Sequence, residues 1–284
     1  MASLEDDIKA EGQEGSAIKA LLLGHSGAGK TGVIGSLARS HRLFIYDFDN
    51  GTKILRDPKI VLPEWRKNIF IKHFYDKTVF VMGKAEPEGT AFDKFNKALA
   101  DWKEEDGKSL GNIYSWGPKD VIVLDSFSFL ANIIQNSVLK LAGRPGGKPQ
   151  IQDIGAIQDA LENVLETLYN PAVKANVVIT AHLTRQADDL SGGLQKLMIS
   201  TIGKKLAPKI ARYFNNTLLV EQKTVNKETK PRLITKSTFD VDLKTERPSA
   251  VQPEMDPDLD KLFTLLRGVP NGTAVPSSPP PSGK

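Results

Sequence analysis

Gly24-His25-Ser26-Gly27-Ala28-Gly29-Lys30-Thr31 fits the pattern G-x-x-x-x-G-K-[ST], the phosphate-binding P-loop. The glycines let the backbone turn tightly enough for successive N–H groups to face one concavity that cradles phosphate oxygens. Gly32 closes the same run. Lys30 supplies a point charge to the β and γ phosphates, and the Thr31 hydroxyl is suited to ligating Mg²⁺. Just before the loop, Ile18-Lys19-Ala20-Leu21-Leu22-Leu23 is an apolar run of strand length, and after it Val33, Ile34 and Leu37 have helical spacing. Strand, loop and helix in that order put a helix N-terminus, with its partial positive charge, against the bound phosphate.

Working outward, strands and helices alternate. Leu43 to Asp49 reads as a second strand closing on Asp47 and Asp49. Residues 91–105 carry Phe92, Phe95, Leu99 and Trp102 at helical spacing. Val121-Ile122-Val123-Leu124-Asp125 and Val177-Val178-Ile179-Thr180-Ala181 are continuous apolar runs of the kind that suits buried parallel strands. Ile154 to Leu168 has helical periodicity. Thr217–Gln222 and Arg232–Val241 read as strands joined by a turn around Asn226-Lys227, and Asp258–Leu266 as a final helix. The alternation predicts an α/β fold, a mostly parallel sheet with helices on both faces. Residues 52–90 carry mixed strand signals that fit no single place. Residues 183–203 are polar, contain Ser191-Gly192-Gly193 and lack clear periodicity, which predicts a stretch that is either functional or disordered.

The 284 residues are 40% hydrophobic and 25% charged, ordinary for a globular protein. They divide into an expected flexible leader (1–16), a core (17–268) and a disordered Pro/Ser-rich tail (269–284). With no cysteine, disulfides and thiolate metal sites are excluded. The acidic N-terminus does not have the form of a signal peptide, and no apolar run reaches membrane-spanning length. A cytoplasmic location is the expectation. Net charge is only +4, but residues 196–236 hold ten basic and two acidic residues. Such a segment points either to a polyanionic partner, nucleic acid first, or to a surface balanced by acidic residues from elsewhere.

Ligands of open α/β sheets bind beyond the carboxyl ends of the strands, and several polar residues fall there. Asp125 has the form of a Walker B aspartate partnering Thr31 and Mg²⁺; as an alternative Asp125 or Ser126 caps the helix bearing Phe127 and Leu130. Asp47 or Asp49 is placed to orient an attacking water, and Asp49-Asn50-Gly51 is also a strong turn sequence. His182 follows a buried strand, where it would either sense the γ-phosphate or stand as a core or surface imidazole. A guanine reader N-K-x-D is not matched: Asn226-Lys227-Glu228-Thr229 lacks the Asp, so ATP is the expected nucleotide.

The order of these parts, together with Ile202–Phe214, resembles the RecA-type recombination ATPases. It is most similar to the short, phage-borne forms that assist single-strand annealing. The resemblance spans about residues 18–247. It implies ATP and Mg²⁺ as cofactors, single-stranded DNA as partner, a homo-oligomeric filament or ring, and possible cooperation with a single-strand-binding protein, in the host-cell cytoplasm. It carries the catalytic carboxylate onto Asp49, where the family has the longer Glu, and the γ-phosphate sensor onto His182, where the family has Gln. Slow, DNA-stimulated hydrolysis follows as the expectation. It also implies two DNA-binding loops, one over 140–153 with Arg144 and Lys148, the other over 183–203 with Arg185 and Lys196, extended by Lys204 and Lys205. Lys236, Lys244 and Arg247 correspond to basic residues that reach ATP in trans. Competing expectations are a motor or helicase-loader ATPase acting on a protein partner, a small-molecule phosphotransferase, and a non-catalytic scaffold.

Overall fold

A computed structural model describes residues 16–188, 194–203, 205–225 and 227–268. The expected leader (but for its last residue, Ser16), the expected tail and Lys204 therefore lie outside the described residues. Six mutually parallel strands form the body of one sheet, in the order β9 (Asn216–Val225), β1 (Lys19–Gly24), β7 (Asn176–Asp188), β6 (Asp120–Asp125), β2 (Arg42–Asp47) and β3 (Ile69–His73). On the β9 side β10 (Glu228–Ile234) and then β11 (Glu254–Met255) add antiparallel. This is the mostly parallel α/β architecture expected of a P-loop NTPase core. Residues of β1 and β6 are buried throughout because helices cover both faces, which explains why these strands read as continuous apolar runs rather than alternating ones.

One face is covered by α2 (Ala91–Ala100), α3 (Phe127–Leu141) and α4 (Ile151–Tyr169). The other is covered by α1 (Lys30–Gly35), the 3₁₀ turn Ser36–Arg39 and the last helix, Leu259–Arg267. The first face is rich in aromatics. Phe44 stacks on Trp116 at 3.9 Å between centroids and on Phe70 at 5.2 Å, and Tyr46 meets Trp102 edge-on at 4.9 Å.

Three expectations need correction, and one unplaced segment finds its place. The helix predicted over 91–105 stops at Ala100, with Asp101 extended (φ −161°) so that Trp102 folds back beneath β2. Continuing a helix is worth tenths of a kcal/mol per residue, whereas burying a large aromatic side chain is worth about 2–3 kcal/mol, so burial wins. The strand predicted over 232–241 ends at Ile234. Beyond it Ser237 Oγ bonds both backbone groups of Leu243 and closes a turn. The described part of residues 183–203 is not an irregular loop: β7 continues to Asp188 and pairs antiparallel with β8 (Leu194–Ile199), while Ser191-Gly192-Gly193 lies outside the described residues. Leu183 and Ile199 anchor the base of this hairpin in the core. Residues 52–90 hold two 3₁₀ segments (Gly51–Arg56, Pro63–Asn68), the edge strand β3, and a separate hairpin of β4 (Thr78–Val81) and β5 (Lys84–Pro87).

Candidate nucleotide site

Parallel register brings the polar strand ends to one level. Gly24 lies beside His182 across β1 and β7, and Asp47 beside Asp125 across β2 and β6. Between them the P-loop turns on Gly27 and Gly29, whose φ angles of 76° and 99° are left-handed. Gly24 is constrained differently: a Cβ there would meet the Val220 carbonyl oxygen at 2.7 Å. Side-chain-free positions are therefore needed both for the turn and for the close approach of β9.

Lys30 is buried and folds back over the loop. Its ammonium donates to the carbonyls of Gly24 (2.9 Å) and His25 (3.0 Å) and lies 3.3 Å from His182 Nδ1. Burial lowers its pKa, opposed by the carboxylates of Asp125 and Asp49. An ammonium only donates, so Nδ1 of His182 is the acceptor and Nε2 carries the hydrogen. Nε2 faces Asp49 Oδ2 at 3.6 Å. Asp49, His182 and Lys30 thus form one chain of contacts. The backbone N–H of His182 donates to Ser128 Oγ, and Phe129 meets the ring edge-on at 5.9 Å.

Asp125 is buried at the end of β6 and receives two hydroxyls, Thr31 Oγ1 at 2.7 Å and Thr180 Oγ1 at 2.5 Å. It is not the helix cap: Ser126 holds that position, and the Asp125–Ser126 peptide is cis. Burial pushes the Asp125 carboxyl up to about 6, and the charges of Asp49 and Asp47 add to the rise. The two candidate carboxylates after β2 separate in role. Asp47 is fully buried and holds Thr52 Oγ1 (2.7 Å), His73 Nδ1 (2.9 Å) and the Asp49 backbone N–H (3.2 Å). Asp49 faces the cleft and accepts from Gly51 N–H, the turn bond expected of Asp-Asn-Gly.

The cleft has a volume of about 730 Å³, within the range of small-molecule sites. Its far wall brings in residues that the sequence reading missed: Ile54, Ile60, Gln222, Pro231 and Pro257. Gln222 donates to the carbonyls of Gly27 and Ala28, at 3.3 Å each. It closes the strand read as 217–222, so its place at a carboxyl strand end was an available signal.

The remaining candidates lie apart from this centre. Arg144 is committed to Asp153, both of whose carboxylate oxygens it holds at 2.8–2.9 Å while Asp153 caps α4 through the Gln150 N–H. That backbone bond, and then the Arg144 guanidinium, keep the Asp153 carboxyl below its usual range. Arg144→Ala is expected to lower the melting temperature by a few degrees while Lys148→Ala leaves it unchanged, as read by thermal denaturation. Arg185 and Lys196 sit on opposite strands of the hairpin, near Asp240 (3.8 Å) and Asp242 (3.6 Å) respectively. Lys205 is exposed. Lys236, Lys244 and Arg247 are exposed near the amino ends of the parallel strands, away from the chain's own P-loop; Lys244 bridges Thr217 and Arg247 donates to the Leu266 carbonyl. The positive excess of 196–236 is partly met by acids from elsewhere: Lys209 by Glu162, Lys223 and Arg232 by Glu254, and Arg232 again by Asp256.

A P-loop whose Thr bonds a strand-end Asp, beside a second strand-end carboxylate, defines a P-loop ATPase site. The chain belongs to the AAA domain family, whose model matches residues 16–245. The fold is similar to that of the flagellar accessory protein FlaH from Methanocaldococcus jannaschii, with 12% identity, a TM-score of 0.41, and 89% of this chain and 91% of that one covered. It is also similar to the KaiC-like protein PH0186 from Pyrococcus horikoshii OT3, with 12% identity, a TM-score of 0.37, and 80% and 81% covered. No curated protein matches the sequence. Membership implies nucleotide binding, usually with Mg²⁺, and the residues fit that ion. A hydroxyl and a buried carboxylate, crowded by two further carboxylates, form a hard-oxygen site that a cation would relieve. Among the described residues there is no cluster of three or more His, Cys, Asp or Glu that could hold a metal ion. Among the described residues no helix is long and apolar enough to cross a membrane.

Proposed function

We propose that this chain is an ATP-dependent single-stranded-DNA-binding ATPase of the phage recombination type, hydrolysing ATP slowly. The observation that carries the reading is β7. The strand that presents His182 to the P-loop continues unbroken into the β7–β8 hairpin bearing Arg185 and Lys196. In this reading the P-loop amides and Lys30 hold the phosphates, and bound Mg²⁺ would supply charge neutralisation from Thr31 and Asp125. Asp49 orients the attacking water and takes up its proton. Its carboxylate is one methylene shorter than Glu, which fits slow turnover. His182, whose Nδ1 accepts from Lys30 before the nucleotide arrives, loses that partner when Lys30 turns to the γ-phosphate. The freed imidazole then carries the nucleotide state along β7 to the hairpin.

Fluorescence anisotropy of a labelled single-stranded oligonucleotide, with and without ATP–Mg²⁺ at two salt concentrations, tests the coupling. Binding should tighten with ATP and weaken with salt, and Arg185→Ala with Lys196→Ala should flatten the salt slope. Affinity indifferent to ATP would sink the coupling. The second reading, a motor or helicase-loader ATPase acting on a protein partner, is favoured by the partly acid-paired basic segment and by the exposed tip of the β4–β5 hairpin, where Phe80 is 78% and Met82 99% exposed. It predicts no DNA binding in either nucleotide state and an ATPase stimulated by protein.

A further inference from the structure

We propose that a cavity on the back of residues 49–56 is a second phosphate-binding site, separate from the P-loop; this goes beyond the reading above and does not rest on it. Residues of this segment divide between two spaces. Asp49, Gly51 and Ile54 face the nucleotide cleft. Asn50, Thr52, Lys53, Leu55 and Arg56 line the second cavity, of about 180 Å³. Its opposite wall is Arg66, Ile69, Ile71 and His73.

No carboxylate lines this cavity. Elsewhere the arginines find acids, as Arg42 does in Asp120, Arg144 in Asp153 and Arg232 in Glu254. Lys53, Arg56 and Arg66 have no carboxylate within ion-pair distance among the described residues. Three like charges gathered around one small space repel one another, and an anion between them reverses the sign of that energy. Arg66 Nη2 donates to the Arg56 carbonyl at 2.6 Å. That bond fixes one guanidinium at the cavity wall and leaves its other N–H groups free to donate. Guanidinium forks match phosphate oxygens. A dianionic phosphate group answers three cations better than a single carboxylate would. Leu55, Ile69 and Ile71 offer no competing acceptor.

The cavity also touches the reaction centre through one carboxylate. His73, in its wall, contacts Asp47 at 2.9 Å, and Asp47 holds both Thr52 Oγ1 and the backbone N–H of Asp49. An occupant that draws on His73 therefore meets the carboxylate that holds the Asp49 backbone.

The test is phosphorus NMR titration of inorganic phosphate against the full chain, Lys30→Ala, and the double variant Arg56→Gln/Arg66→Gln. Binding should persist in Lys30→Ala and weaken at least ~10-fold in the double variant, which should still bind ATP. Should the double variant fail to fold, Lys53→Gln is read in its place, with weakening of the same sign. Phosphate binding that is absent from the wild type, or lost in Lys30→Ala and kept in the arginine variant, overturns the proposal. A short oligothymidylate added to the phosphate-loaded Lys30→Ala chain separates the sources. Displacement assigns the site to a phosphodiester backbone, and no displacement assigns it to free phosphate groups.

Discussion

Replacing Lys30 by Ala should weaken ATP binding by about 100-fold, the loss expected when a charged donor to phosphate is removed. The cause is not only the missing charge. In the free protein the ammonium is held by the Gly24 and His25 carbonyls and borders His182 Nδ1, so it is stored within reach of the cleft in a buried position. Burial lowers its pKa, which marks a desolvation cost already met by the fold before the nucleotide enters. Arg at this position should not restore function, because a planar fork cannot occupy a space built for a compact ammonium. Isothermal titration with ATP–Mg²⁺ checks both variants. Affinity within about threefold of wild type for Lys30→Ala would remove the P-loop from the account.

Asp125→Asn should give the opposite result for stability and for function. The Asp125 carboxyl stands at about 6 in the folded chain, against an ordinary 3.8. A folded-state pKa raised above the unfolded value means that the folded protein holds the proton more tightly. Stability from this group is therefore full below about pH 4, falls as pH rises to about 6, and stays lost above it. The loss is on the order of 3 kcal/mol. An amide in the same place carries no charge to desolvate. Its oxygen accepts from one of the two threonine hydroxyls, and its NH₂ donates to the other after that hydroxyl rotates. The variant should therefore melt higher than wild type at about pH 7.5 and match it at about pH 4.5. Its Mg²⁺-dependent hydrolysis should fall by about 100-fold or more. Adding Mg²⁺–nucleotide should stabilise the wild type more than the variant. Equal melting temperatures at the higher pH would show that the buried carboxylate is not ionised there.

The parts of this fold that were legible are those where one residue type has one use. Val121–Leu124 and Val177–Ile179 are apolar on both faces because both faces are covered, and no exposed strand has that signature. The P-loop was legible because only glycine takes the φ of Gly29 without strain. Asp49 and His182 were expected at the carboxyl ends of strands near the phosphates, and the structure brings His182 to 3.3 Å from Lys30 and Asp49 to 3.6 Å from His182. What was not legible depended on partners distant in the chain. Lys223 and Arg232 read as surplus charge because Glu254, their common acid, lies 31 and 22 residues away. Trp102 fitted the helical stripe of Phe92, Phe95 and Leu99, and only the ring of Tyr46 below it explains why the helix lets it go. The β7–β8 hairpin has polar positions on both faces beyond Leu183, so its period of two was invisible. Gln222 and Pro231 reach the cleft only because β9 lies next to β1 in space and β10 next to β9, an order the sequence does not carry.

Strand β7 is hydrogen-bonded to β1 as far as His182, and from Leu183 onward its strand partner among the described residues is β8, with Arg185 also near Asp240. From His182 to Asp188 the free portion is six residue steps, a lever arm of roughly 20 Å. Its fulcrum is the residue that borders Lys30. A tilt of only a few degrees there sweeps the far end through about 2 Å, so a displacement too small to disturb core packing at one end becomes a distance that makes or breaks a hydrogen bond at the other. Leverage runs both ways. A load on the tip returns to His182 as a large force over a small motion, and whatever grips the hairpin grips the phosphate site with it.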